Sequence, residues 1–167
     1  IRDTRLTERL DYFGAIGLLF VSLNFGIVRV LGLKSRLSQL IAALPIFAYY
    51  LRHVRYMSKI RFDYAWNVVV GATVGVMFAI IFMTWSLWCL FHHKRPHVKY
   101  AMAAIVLLLS SAALEIFDFA PIWDAFDAHA LWHAATAPIV LLWYHFFLHD
   151  ASWDLFEAKL HHKLSPA

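Results

Sequence analysis

Thirty consecutive residues, Tyr64 to His93, contain no Asp, Glu, Lys or Arg. As a helix that run would reach about 45 Å at 1.5 Å per residue, more than the ~30 Å hydrocarbon core of a bilayer. Four more uncharged runs flank it: 12–28 (17 residues), 37–51 (15), 100–114 (15) and 128–149 (22). A spanning helix needs about 17–25 apolar residues. The 64–93 and 128–149 runs meet that unaided. The 12–28 run meets it if Arg29 extends its guanidinium to the interface and leaves its stem in lipid. The two shorter runs need Arg52 and Glu115 near the membrane surface. The chain is therefore expected to be all-α, a polytopic transmembrane helix bundle in a single domain over 1–167. Five spans are expected near 12–30, 37–55, 64–91, 98–117 and 127–149, followed by a C-terminal tail, 150–167. The runs are long and rich in Leu, Ala, Phe and Trp, without the sustained alternation a lipid-facing barrel requires.

Composition narrows the class further. Apolar residues make up 62% of the 167 residues and charged residues 16%, against about 45–50% and 25% in soluble domains. A chain this small cannot hide so much apolar surface in one core, which excludes disorder and an ordinary water-soluble domain. The formal charge of +4 fits membrane flanks and anionic headgroups, not nucleic acid. Five spans put the basic residues on the two faces seven to eight, so charge does not set orientation. The acidic residues are skewed, eight on the face of residues 1–11, 52–63 and 115–127 and three on the other. The lone Cys89 allows no intrachain disulfide. Gly71 and Gly75 form a G-x-x-x-G, a spacing that lets helices approach closely. Pro45 interrupts the second span. No basic segment followed by a short apolar stretch opens the chain, and no signal peptide is read.

The residues that could carry chemistry gather on the acidic face. His129 and His133 are four apart and share one helix face, one turn from each other, a spacing that suits two imidazoles on one metal ion. The plain alternative is a pair of interface histidines bonded to neighbours. His53, at the end of the second span, falls at the same expected depth. Three protein ligands plus a water is the usual catalytic zinc arrangement, and nitrogen donors favour zinc over magnesium or calcium. Asp63, just before the third span, is placed to act as general base or to cap the helix, roles that are compatible. Asp127, Glu115 and Asp118 are candidates to orient the ligands from behind, whereas Asp124 reads as solvated. His92, His93 and His97 alternate with Lys94, Arg95 and Lys99, and are expected in a solvated basic loop touching headgroups. His145 and His149 lie at the far end of the last span, His149 about 24 Å from His133, and are expected at the other interface.

Several stretches look familiar together. Arg2-Asp3-Thr4, Leu6-Thr7-Glu8 and Asp11-Tyr12-Phe13 open the chain; Phe62-Asp63-Tyr64 with Asn67 follows. Leu114-Glu115-Ile116-Phe117-Asp118-Phe119-Ala120-Pro121 and Asp127-Ala128-His129-Ala130-Leu131-Trp132-His133 come later. In this order they resemble the GPI-remodelling lipase family called post-GPI-attachment-to-proteins factor 3, grouped with the alkaline ceramidases and adiponectin-type receptors. The resemblance implies a helical bundle, a fragment here of a seven-span fold, with zinc on His53, His129 and His133 and Asp63 as the catalytic aspartate. It implies a phospholipase A2 that removes the sn-2 acyl chain from GPI-anchored proteins, in the endoplasmic reticulum or Golgi with a luminal active site. Membrane lipid and GPI-anchored proteins would be its substrates. Where superfamily relatives carry a serine one turn before the first histidine, this chain has Tyr49, and Ala120 replaces a proline. The family's cysteine-rich region ahead of the first span implies that an N-terminal part is missing. The rival readings are a receptor-like or lipid-binding protein with a structural zinc and no hydrolysis, and a divalent-cation transporter. The transporter would need polar residues at mid-membrane depth on several spans.

Overall fold

The computed structural model describes residues 4–117, 119–122 and 126–164. Six helices follow one another: α1 (Arg5–Val30), α2 (Arg36–Lys59), α3 (Tyr64–His92), α4 (Val98–Phe117), α5 (Ala128–Thr136) and α6 (Ile139–Leu164). No strand occurs among the described residues; an isolated bridge pairs Ile122 with Phe126. The helices gather into two compact units, Ile1–Thr84 and Trp85–Ala167.

By length and composition three segments can cross a membrane: Leu6–Val30, Tyr64–His92 and Ala128–Leu160. The chain is thus an integral membrane protein. A shorter apolar stretch, Val98–Leu114, lies in α4. α2 has 24 residues, enough for about 36 Å, and its last turns carry Arg52, Arg55 and Lys59. Its exposed Leu37, Leu40, Ile41, Leu44 and Leu51 recur at helical spacing and form the apolar stripe a helix turns toward acyl chains.

In the first unit, local chemistry sets the helix ends. Thr4 and Thr7 form a capping box at the start of α1. The helix ends in a Schellman turn: Leu33 N–H bonds to Val28 O and Gly32 N–H to Arg29 O, with Gly32 at φ 60°, a left-handed conformation glycine adopts at no steric cost. Ser35 caps α2 by accepting from Ser38 N–H. α1 and α2 pack through Phe20 against Tyr49 and Tyr50, and Tyr50 donates its hydroxyl to Phe13 O at 3.0 Å. α3 meets α1 at its glycines: a Cβ on Gly71 would stand 2.8 Å from Ile16 Cδ1, and one on Gly75 would stand 3.7 Å from Leu19 Cδ2. The G-x-x-x-G is thus a packing surface.

In the second unit, Val98, Ala101, Ala104 and Ile105 form a buried stripe on α4, spaced to keep one face toward α5 and α6. Phe146 of α6 is fully buried, with Trp85 and Trp143 edge-on to it. Within the segment Ala128–Leu160 the helix is interrupted at Pro138, which has no N–H to continue it; α5 stops at Thr136 and α6 starts at Ile139. α6 then runs on to Leu164.

Candidate functional site

His53 sits on the last turns of α2, 3% exposed. Its Nε2 lies 3.0 Å from Asn67 Oδ1, on the first turn of α3. An amide oxygen only accepts, so the ring must donate from Nε2. That leaves Nδ1 as a bare lone pair, buried and with no partner among the described residues. Buried polar atoms are nearly always satisfied, and a ring nitrogen held this way while the other is fixed by a hydrogen bond is the usual state of a metal-ligating histidine. His53 lines an open groove of about 370 Å³ with Tyr49, Arg52, Tyr56 and Trp66. Tyr56 and Trp66 meet edge to face at 6.3 Å.

Asp63 sets the position of Asn67. Its Oδ1 accepts from Trp66 N–H at 3.1 Å, and Asn67 N–H bonds to its main-chain oxygen at 3.0 Å. It caps α3 and thereby holds the amide that holds His53. Its other carboxylate oxygen lies 3.5 Å from Arg61 Nε.

His129 and His133 come together in the second unit. Asp127 caps α5 through a 2.7 Å bond from Ala130 N–H, so the candidate orienting carboxylate acts on the helix that carries both histidines. Their Nε2 atoms are 3.1 Å apart, and the rings stand at 88°. Two imidazole nitrogens on one tetrahedral zinc, each about 2.0–2.1 Å from it, would lie about 3.3 Å apart. The pair therefore fits a metal with little movement; without one, the same separation serves a ring-to-ring hydrogen bond. Trp132 lies against both rings.

Of the expected site residues, His53 and Asp63 thus belong to the first unit and His129 and His133 to the second. The side chain of Glu115 and the whole of Asp118 and Asp124 lie outside the described residues. Asn67 was absent from the expected site; its offset of four from Asp63, within the F-D-Y-x-x-N stretch, was the available signal. The basic loop is corrected. Arg95 is not solvated but held by three carboxylates of α6, Asp150, Asp154 and Glu157, at 3.3, 2.8 and 2.6 Å. His97 is buried and bonds through Nε2 to Asp150 at 3.1 Å. Ser110 and Ser111 bond back to their own helix carbonyls, which leaves them poor nucleophiles. His145 and His149 stack with Tyr100 on the surface of the second unit.

Residues 1–151, which include His53, His129, His133, Asp63 and Asn67, match the model of the Per1-like family. The chain belongs to the Per1-like family. It is 35% identical over 164 residues to a human protein named GPI-specific phospholipase A2-like PGAP3, covering 98% of this chain and 50% of that one. It is 37% identical over 144 residues to the Drosophila melanogaster post-GPI attachment to proteins factor 3 (86% and 43%). It is 35% identical over 163 residues to the Schizosaccharomyces pombe protein PER1 homolog (93% and 48%). The chain spans about half the length of these curated relatives. No solved structure matches it significantly.

Proposed function

We propose that this chain carries the site of a membrane-embedded, zinc-dependent lipid hydrolase, a phospholipase A2 that cleaves the sn-2 acyl ester of GPI-anchored proteins and so takes part in GPI fatty-acid remodelling. In this reading His53, His129 and His133 hold the zinc. The observation that carries it is the pair of imidazole nitrogens 3.1 Å apart on α5; the bare Nδ1 of buried His53 supports it. The names of the relatives support a GPI-related substrate; the reading puts the work in the endoplasmic reticulum or Golgi, with a luminal site.

A bound zinc would polarise the ester carbonyl and lower the pKa of a coordinated water toward about 7. The chain's own residues do the rest. Asn67 fixes the tautomer of His53. Asp127 fixes the start of α5, and with it the direction of His129 and His133. Asp63 takes or steers the proton from the attacking water, besides capping α3. A site close to the interface meets an ester that lies at the boundary of headgroup and acyl chains, and a lipid reaches it sideways between helices.

The test is zinc per chain in the detergent-purified protein and in His133→Ala, followed by release of fatty acid from a GPI-type lipid. One zinc that is lost in the variant, with acyl release lost alongside, is the expected result. Zinc-free protein after zinc is supplied overturns the mechanism. Zinc without acyl release moves the protein to the structural-zinc reading.

A further inference from the structure

The groove that holds His53 has a feature the hydrolase reading does not use. Arg52 lines it, exposed and with no ion-pair partner among the described residues, while the remaining lining residues are three aromatics and the histidine. Tyr49, Arg52 and Tyr56 are spaced i, i+3, i+7, so α2 presents them on one face. Among the described residues no carboxylate lines the groove. Arg61 pairs with Asp63 across 3.5 Å; among the described residues Arg52 has no such pairing. The groove thus combines an uncompensated cation, aromatic walls and a buried ring nitrogen without a partner. The ligand such a site takes has an anionic group and an apolar body.

We infer that Arg52 is the headgroup anchor of this groove: its guanidinium binds the phosphodiester of a phosphoinositol-type lipid and thereby sets the acyl ester against His53. The planar fork of arginine offers two parallel N–H bonds to two phosphate oxygens, which lysine cannot reproduce. Arg52 and His53 line the same groove, so a phosphate held by the first directs the attached glycerol toward the second. The side chains of Tyr56 and Trp66 then flank the glycerol and the first acyl carbons. About 370 Å³ is within the range of small-ligand sites and too small for two whole acyl chains, which stay in the bilayer. The inference rests on the hydrolase reading for its substrate.

The experiment is equilibrium binding to the full-length protein in detergent, with chelator present so that no turnover occurs. Fluorescent phosphatidylinositol and an identically labelled diacylglycerol are compared on wild type, Arg52→Ala, Arg52→Lys and Arg55→Ala; Arg55 is exposed on the same helix and outside the groove. Thermal unfolding checks that each variant is folded, and Arg52→Lys carries the test if Arg52→Ala is not. Losing a charge-assisted bond is expected to weaken phosphatidylinositol binding about tenfold or more. Diacylglycerol binding should move less than about twofold, Arg52→Lys should recover part of the loss, and Arg55→Ala should match wild type. Equal losses for both lipids, an Arg55→Ala effect as large as that of Arg52→Ala, or competition by oleate but not by an inositol phosphodiester overturns the inference. The last of these would make the groove a fatty-acid site. The hydrolase reading is scored separately: Arg52-dependent binding without acyl release sinks that reading alone, and acyl release with binding indifferent to Arg52 sinks this one alone.

Discussion

Replacing Asn67 with leucine removes the acceptor of His53 Nε2 while keeping the branching and the number of side-chain heavy atoms. Asn67 is 5% exposed and His53 3%, so water cannot step in for the lost amide. The ring is then left with a buried N–H and a buried lone pair, both unpaired. A buried donor without a partner costs about 1–3 kcal/mol, and the unfolding midpoint in detergent should fall accordingly. The metal should suffer in parallel. Removing an outer partner of a ligand histidine typically lowers metal affinity about 10–100-fold, equivalent to about 1.4–2.8 kcal/mol at 1.4 kcal/mol per decade, the same size as the stability cost. Asn67→Asp keeps an acceptor at the same point and should retain most of the affinity. Zinc dissociation constants from chelator competition on wild type, Asn67→Leu, Asn67→Asp and the His53→Ala, Asn67→Leu double variant provide the assay. Because Asn67 acts through His53, the double variant should bind zinc no more weakly than His53→Ala alone. A folded Asn67→Leu protein with wild-type affinity, or fully additive losses in the double variant, would refute the reasoning.

Other substitutions separate what holds the helices from what serves the site. Asp127→Ala deletes the cap of a nine-residue helix and should cost about 1 kcal/mol, read as a lower melting midpoint and looser zinc binding; Asp127→Ser, another good cap, should restore both. Arg95→Met leaves the buried Asp150 without its cation and should destabilise by about 3 kcal/mol in thermal unfolding. Asp154→Asn should cost less than about 1 kcal/mol, because that carboxylate is 41% exposed. Gly71→Ala meets the movable end of Ile16 and should be nearly neutral, whereas Gly71→Leu overpacks the α1–α3 contact and should cost about 1–3 kcal/mol by the same measure.

The places where the sequence could be read correspond to places where lipid discriminates sharply. An ionised group in hydrocarbon is expensive, so the charge-free run beginning at Tyr64 marks α3 to within a residue at its C-terminal end, His92 against His93. The i, i+4 spacing of His129 and His133 is intrahelical and could be read for the same reason: it needs no knowledge of any other helix. What could not be read depends on partners. Pro138 sits inside an uncharged run, and nothing in that run shows whether a neighbour repairs the missing hydrogen bond. Asp150, Asp154 and Glu157 look like an exposed acidic stripe until Arg95, more than fifty residues away in the chain, is brought against them. Asn67 is neutral and small, and periodicity does not single it out; only its bond to His53 gives it a role.

The break at Pro138 separates two demands that a single long rod would have to meet together. α6 must suit the thickness of whatever membrane surrounds it, and helices adjust to thickness by tilting. α5 must keep two nitrogens at a fixed separation, and that separation is internal to a helix of two and a half turns. A rigid rod would convert every change of tilt into a displacement of the histidines. With the hydrogen-bond ladder interrupted at Pro138, the lipid-facing segment can change its tilt while the two histidines of α5 keep their spacing.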